Sequence, residues 1–294
     1  MEILRGKRVV VFGCGYLGGT VARSAAALGA RVVAVTKNPQ TAELLRVDGI
    51  EVIVADLATN SWHDAVAGEV DCILNSVGSG GGGIESYRRS YVGGMASIVA
   101  WARRAGPIGT AVYTSSTSVY PQSGGVVVDE GASTGGGEER AQILLEAESI
   151  FRGGLGAWHR GFVLRLAGIY GPGRHSLLDQ VRSGEVAGTG DHRMNLVHRD
   201  DAAAAILACW SAPPEVAGDV FNVADDEPHR RIEVVTWLAA GMGVPVPRFS
   251  GAARSPFRGN APDRLIANAK LKARFGWRPR FPTFREGYGG FLSH

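Results

Sequence analysis

The sequence is poor in the residues that build metal sites and disulfide frameworks. It has three cysteines in 294 residues, Cys14, Cys72 and Cys209, with no CxxC pair and no Cys/His cluster. That spacing excludes a zinc module or a disulfide scaffold, so no metal site is expected, and Cys14 and Cys72 read as small buried residues in a reducing compartment. Long apolar runs are missing too: none approaches the ~20 residues needed to cross a bilayer. The basic residues Arg5, Lys7 and Arg8 precede only Val9–Phe12 before a glycine intervenes, too short for the core of a signal peptide. The expected location is the cytoplasm, away from any membrane. Charge imbalance is slight, with 31 basic against 28 acidic residues, +3 in all. Basic residues are spread along the chain among acids, which excludes the basic stripe of a nucleic-acid binder. No internal repeat occurs, and Gly80–Gly83 is the one low-complexity stretch.

What is present is an alternation. Apolar, β-branched runs at Val9–Phe12, Val32–Val35, Val52–Ala55, Ile73–Val77, Ala111–Thr114 and Phe162–Leu166 are separated by helical patterns. Those patterns span Tyr16–Leu28, Thr41–Arg46, Trp62–Val66, Tyr87–Arg104 and Glu138–Ile150. Strands apolar throughout, with helices between, predict an α/β doubly wound fold: a parallel sheet covered on both faces. Residues 1–170 are expected to form this Rossmann domain. Residues 171–294 change texture and are expected to form a smaller substrate lobe, with segments near 195–225 returning to the first domain.

The chemistry-bearing motif is Gly13-Cys14-Gly15-Tyr16-Leu17-Gly18, a GxGxxG turn that follows a strand and opens a helix. Gly13 suits the tight turn, Gly15 lets backbone approach a pyrophosphate, and Gly18 permits close helix–strand packing. The helix N-terminus then faces the phosphates. The second strand ends in Thr36-Lys37, with no carboxylate to bind the adenosine ribose hydroxyls. Lys37 is available for a 2′-phosphate, so NADP is expected ahead of NAD; the alternative is a solvated surface lysine. Asp56-Leu57 either meets the adenine edge or caps a short helix. The expected cofactor-binding set is completed by Ser76, Val77 and Gly78 and by Ala167 and Gly168, at or just past two strand ends.

Val112-Tyr113-Thr114-Ser115-Ser116-Thr117-Ser118-Val119-Tyr120 resembles the SSxxVYG segment of the extended short-chain dehydrogenases/reductases, the NAD(P)-dependent epimerase/dehydratase group. Leu164-Arg165-Leu166 through Ile169-Tyr170-Gly171-Pro172-Gly173 is similar to that family's LRxxxxYGPG. Asn195–Asp201, Phe221-Asn222-Val223 and Asn268–Leu271 followed by Phe275-Gly276-Trp277 match further family segments in order. Two departures stand out. The family's usual GxxGxxG turn would put a glycine at Phe12. Its catalytic YxxxK pair falls on Arg140 and Leu144, neither of which can do that work, because arginine stays protonated and leucine has no polar atom.

The resemblance implies that Ser116 occupies the catalytic serine position, where it either meets a substrate oxygen or satisfies backbone at a strand end. Tyr120 and His198 are candidates to replace the missing tyrosine, as are Tyr87 and Tyr170; each alone reads equally as a packed or capping residue. Arg140 either anchors an anionic substrate or is solvated beside Glu138 and Glu139. The expected function is NADP-dependent oxidation or reduction of a small polar metabolite. Alternatives are a sugar-nucleotide epimerase or dehydratase and a non-catalytic NADP sensor. A small-molecule substrate is the expected partner, with a homodimer left open.

Overall fold

Five apolar runs in the first half of the chain become strands of one sheet; β-branched residues buried on both faces suit parallel pairing, and the edge strand Glu51–Val54 is partly exposed. In chain order the elements are β1 (Arg8–Phe12), α1 (Tyr16–Ala27), β2 (Arg31–Thr36), α2 (Pro39–Val47) and β3 (Glu51–Val54). They continue with β4 (Cys72–Asn75), α3 (Ile84–Arg88), α4 (Gly94–Ala105), β5 (Ile108–Ser116) and α5 (Glu139–Gly153). The strands Trp158–Leu166 and Val220–Val223 complete a seven-stranded parallel sheet. Its order is Val220–Val223, Trp158–Leu166, β5, β4, β1, β2, β3. The chain runs outward from β1 to β3, then resumes on the other side of β1 with β4. That reversal makes the carboxyl ends of β1 and β4 the switch point where such sheets bind ligands. The computed structural model describes residues 4–79, 81–251 and 262–292, so Gly80 of the Gly80–Gly83 loop lies outside the described residues.

Two helices differ from expectation. The run Tyr87–Arg104 is not one helix: α3 starts earlier, at Ile84, and a π turn at Arg89–Gly93 separates it from α4. The adjacent Gly93 and Gly94 weaken the α-helical preference where the turn widens. Trp62–Val66 shortens to a 3₁₀ turn, His63–Ala65. Here packing overrides propensity, since the Trp62 ring lies 5.1 Å from Phe12 and 5.7 Å from Trp101. Trp101 Nε1 also donates to the Val66 carbonyl at 2.9 Å, which ends the turn.

The chain divides into two compact units. The first comprises residues 1–119, 134–165 and 202–221; the second comprises 120–133, 166–201 and 222–294. Of the segment near 195–225, the part 202–221 clusters with the sheet, while 120–133 and 166–170 cluster with the second unit. Within the second unit, Gly168–Tyr170 pairs in parallel with Leu196–His198, and Val126–Val128 with Arg264–Ile266. Tyr170, Leu178, Val235, Leu238 and Phe284 are buried in its apolar core. Among the described residues no helix is long and apolar enough to cross a membrane.

Candidate functional site

The glycines of the first turn answer to different constraints. Gly13 has φ +83°, and a Cβ there would sit 2.6 Å from the Val77 amide nitrogen. A Cβ on Gly18 would lie 2.1 Å from the Gly13 carbonyl oxygen. Both are therefore required by the protein's own packing. Gly15 is not: its φ is −73° and nothing lies within 4 Å of the Cβ position. The space a side chain would fill stays open in front of α1. Gly15 also supplies no side-chain cap, and the first turn of α1 carries no acidic residue. Amide N–H groups at that end are thus left for an external acceptor, as a pyrophosphate cradle requires. Tyr16 and Leu17 begin the helix, with Leu17 buried. Ser76 and Val77 back the turn, Ser76 N donating to the Phe12 carbonyl at 2.8 Å, and Gly78 follows with open space at its Cβ position. Cys14 is buried, its Sγ on the Val11 carbonyl, and burial pushes the thiol up to about 12, so it stays protonated and inert.

At the next strand end Thr36 is buried and its Oγ1 accepts from Asn38 N, while Lys37 is exposed. Asn38 in turn caps α2 through Oδ1. The neighbouring β3 leads to Asp56, whose Oδ1 accepts from Ala58 N at 2.9 Å and whose Oδ2 accepts from Arg89 at 2.9 Å. The Ala58 amide first, then Arg89, holds this carboxyl below its usual range. Leu57 turns into the core.

The serine strand ends on a buried ion pair. Arg165 donates to Glu148 through Nε at 3.0 Å and Nη2 at 2.7 Å, and Ser115 Oγ donates to the same carboxylate at 2.6 Å. Ser116 is half-buried; its Oγ accepts from Ser118 N at 3.1 Å. Arg140 places its guanidinium carbon 5.0 Å from the Tyr87 ring centroid, and Tyr87 packs on Tyr91 at 4.4 Å. Leu144 is fully buried. Nothing in the local sequence pattern pairs Glu148 with Arg165, which lies on a different element. The contacts of Arg140 with Tyr87 and of Asp56 with Arg89 are likewise tertiary, since no spacing signal links residues so far apart.

In the second unit, Tyr120 is buried and its hydroxyl donates to Asn222 Oδ1 at 2.8 Å. His198 is buried against Phe281 at 3.8 Å and Tyr170 at 5.4 Å, and its Nδ1 accepts from Asp200 N. Burial lowers its pKa, leaving a neutral imidazole that caps its helix. The geometry favours the packed-residue alternative for both. Ala167 is buried, donating to the Val223 carbonyl, and Gly168 is exposed, donating to that of Asn195. Tyr170 is likewise buried, and desolvation raises its pKa. The nearby Asp225 is buried with Oδ1 unpartnered, and desolvation pushes it up to about 9. A cavity of about 750 Å³ in the first unit, lined by Lys7, Asp71, Thr110, Trp158, Arg160 and Asp219, lies at the amino ends of the strands, opposite the glycine turn. It is not where this fold binds its cofactor.

The sequence model of the NAD-dependent epimerase/dehydratase family matches residues 9–224. The chain belongs to this family. It is 26% identical over 282 residues to protein YeeZ of Escherichia coli K12, covering 94% of this chain and 97% of YeeZ. It is 31% identical over 145 residues to a 3-diazoavenalumate denitrifying reductase of a Streptomyces species, covering 44% of this chain and 46% of that protein. The solved structure of MoeE5 in complex with UDP-glucose and NAD superposes with TM-score 0.83 at 21% identity, over 97% of each chain. The open Gly15 position and the uncapped start of α1 fit the dinucleotide that the family uses.

Gly15→Val should leave the fold intact, because its Cβ meets no protein atom, and should abolish NAD(H) and NADP(H) binding alike; calorimetry beside a melting curve checks both halves. Asp225 gives a stability test. Its folded pKa of about 9 lies above the ordinary 3.8, so the fold favours the protonated acid. The associated stability is complete below the unfolded value and is lost as pH rises toward the folded one. Asp225→Asn should therefore raise the denaturation midpoint at about pH 8 more than at about pH 5.

Proposed function

We propose that the protein is an NADP-dependent oxidoreductase acting on a small polar metabolite, by carbonyl or imine reduction or alcohol oxidation. The observation that carries the cofactor choice is the end of β2. A buried Thr36 and an exposed Lys37 stand there, and no carboxylate is present to take the ribose hydroxyls. A bound nicotinamide supplies hydride transfer at its C4. The chain's own residues bind, orient and move protons.

Ser116 is held by accepting the Ser118 amide, which leaves its O–H as a donor for a substrate oxygen. Arg140 places its guanidinium carbon 5.0 Å from the Tyr87 ring centroid, a contact that helps hold the head group. Such an arginine anchors an anionic substrate group. Leu144, buried where the family's lysine would stand, provides no proton route.

These substitutions favour reduction over sugar-nucleotide epimerisation, because transient oxidation of a hydroxyl requires a base that the helix does not offer. Reduction of an imine depends less on a tyrosine, since protonation of its nitrogen precedes hydride arrival. The similarity to a reductase over 46% of that enzyme supports the same choice. The lost pair also favours a second reading, a non-catalytic NADP sensor. Turnover in a screen of NADPH consumption against carbonyl and imine compounds separates the two.

The unmodified protein should bind NADPH more tightly than NADH, and Lys37→Ala should weaken NADPH binding several-fold while changing NADH little; titration calorimetry decides. With a substrate found by that screen, Arg140→Ala should raise KM several-fold or more for an anionic compound and leave cofactor affinity unchanged. Unchanged kinetics would leave Arg140 only a packing partner of Tyr87.

A further inference from the structure

Asp56 does not stand alone at the end of β3. Arg89, at the start of the π turn between α3 and α4, donates to its Oδ2 at 2.9 Å, and Lys37 is close enough to stabilise the same carboxylate electrostatically. The strand ends that carry Lys37 and Asp56 are adjacent: Thr36 is in register with Val54, and Ala55 N donates to the Thr36 carbonyl. Two cations therefore share one carboxylate, for a local charge of about +1, beside the place where this fold lays the adenosine ribose. The Asp56–Arg89 pair is exposed, with side-chain exposures of 48% and 58%. An exposed pair of this kind is weak and exchanges readily. A phosphate dianion is a better partner for a guanidinium, because it offers more charge and accepts two parallel N–H bonds. A ribose hydroxyl offers neither and cannot compete with the carboxylate. π turns inside helices occur frequently at functional sites, and this one sets the start of Arg89's side chain toward β3.

We infer that Arg89 is a second phosphate-recognition residue, which exchanges its ion pair with Asp56 for the 2′-phosphate of NADP and grips it together with Lys37. The Ala58 amide keeps Asp56 in place when Arg89 leaves, so Oδ2 is freed at the adenosine without loss of the loop. Selectivity then comes from the exchange itself: a ligand with a 2′-phosphate releases Arg89 from Asp56, and one without it leaves the pair closed. This inference rests on the NADP reading above.

The test uses adenosine 2′,5′-bisphosphate and 5′-AMP as probes, which differ only in the 2′-phosphate and need no catalysis. Calorimetry on the full-length protein should show Arg89→Gln weakening the bisphosphate about tenfold, with 5′-AMP held within about twofold. Arg89→Lys, which keeps a charge but loses the fork, should fall between. NADPH and NADH should follow the same pattern. Equal weakening of both probes would mean that Arg89 merely positions Asp56 and would overturn the inference. So would a bisphosphate preference that survives Arg89→Gln, while leaving the NADP reading in place. An unmodified protein with no preference for the bisphosphate would sink that reading and this inference together.

Discussion

At the carboxyl end of β1 three backbone segments meet more closely than side chains permit. The Gly13 Cα faces the Val77 amide, and the Gly18 Cα faces the Gly13 carbonyl, both at distances that a Cβ would violate. The turn is therefore held between the start of α1 and the end of β4. Sheet pairing sets the neighbouring ends of β2 and β3, while the open face at Gly15 and the uncapped amides of α1 take their positions from that packed turn. It also explains why glycine is used for two unlike reasons within six residues. Gly13 and Gly18 let the protein touch itself, whereas Gly15 leaves room for something else.

The buried pair Glu148–Arg165 has a different physical character. Removing two charges from water is costly, and the mutual attraction with good hydrogen bonding does little more than offset that cost. The pair is forked, and the carboxylate also accepts the Ser115 hydroxyl, so its needs are met. Its effect is geometric. It joins α5, the end of β5 and the strand Trp158–Leu166, so Ser116 and Arg140 sit on elements tied to one another. In the second unit the buried polar groups divide between satisfied and unsatisfied ones. Asp201 accepts from the amides of Arg280 and Phe281 and Tyr120 bonds to Asn222, whereas Asp225 keeps an orphaned oxygen and remains protonated.

Where the resemblance would put the family's tyrosine and lysine, the structure shows two packed residues, Arg140 and Leu144. Leu144 is a core residue, and the Arg140 guanidinium lies against the Tyr87 ring, itself packed on Tyr91. Those tyrosines stand on α3 and in the π turn, which also carries Arg89 to Asp56. One irregular helical segment thus reaches both the α5 end and the β3 end of the first unit.

Much of this molecule was determined by sequence alone. Apolar runs at short, regular spacing dictate parallel strands, because only burial on both faces tolerates them, and the Gly13–Gly18 turn specifies where the first helix begins. Ordered segments such as Leu164–Leu166 and Asn195–Asp201 place the chain in its family. Tertiary structure decided the rest. Tyr120 and His198 carry the right chemistry in a linear reading, yet burial and hydrogen bonds commit both to packing. The π turn at Arg89–Gly93 and the shortened helix at Trp62 depend on packing that periodicity does not encode. Glu148 with Arg165, Arg140 with Tyr87 and Asp56 with Arg89 are separated by 17, 53 and 33 positions. Charge and ring contacts over such separations leave no mark in local pattern, since they exist only after the sheet has brought distant strand ends and helices together.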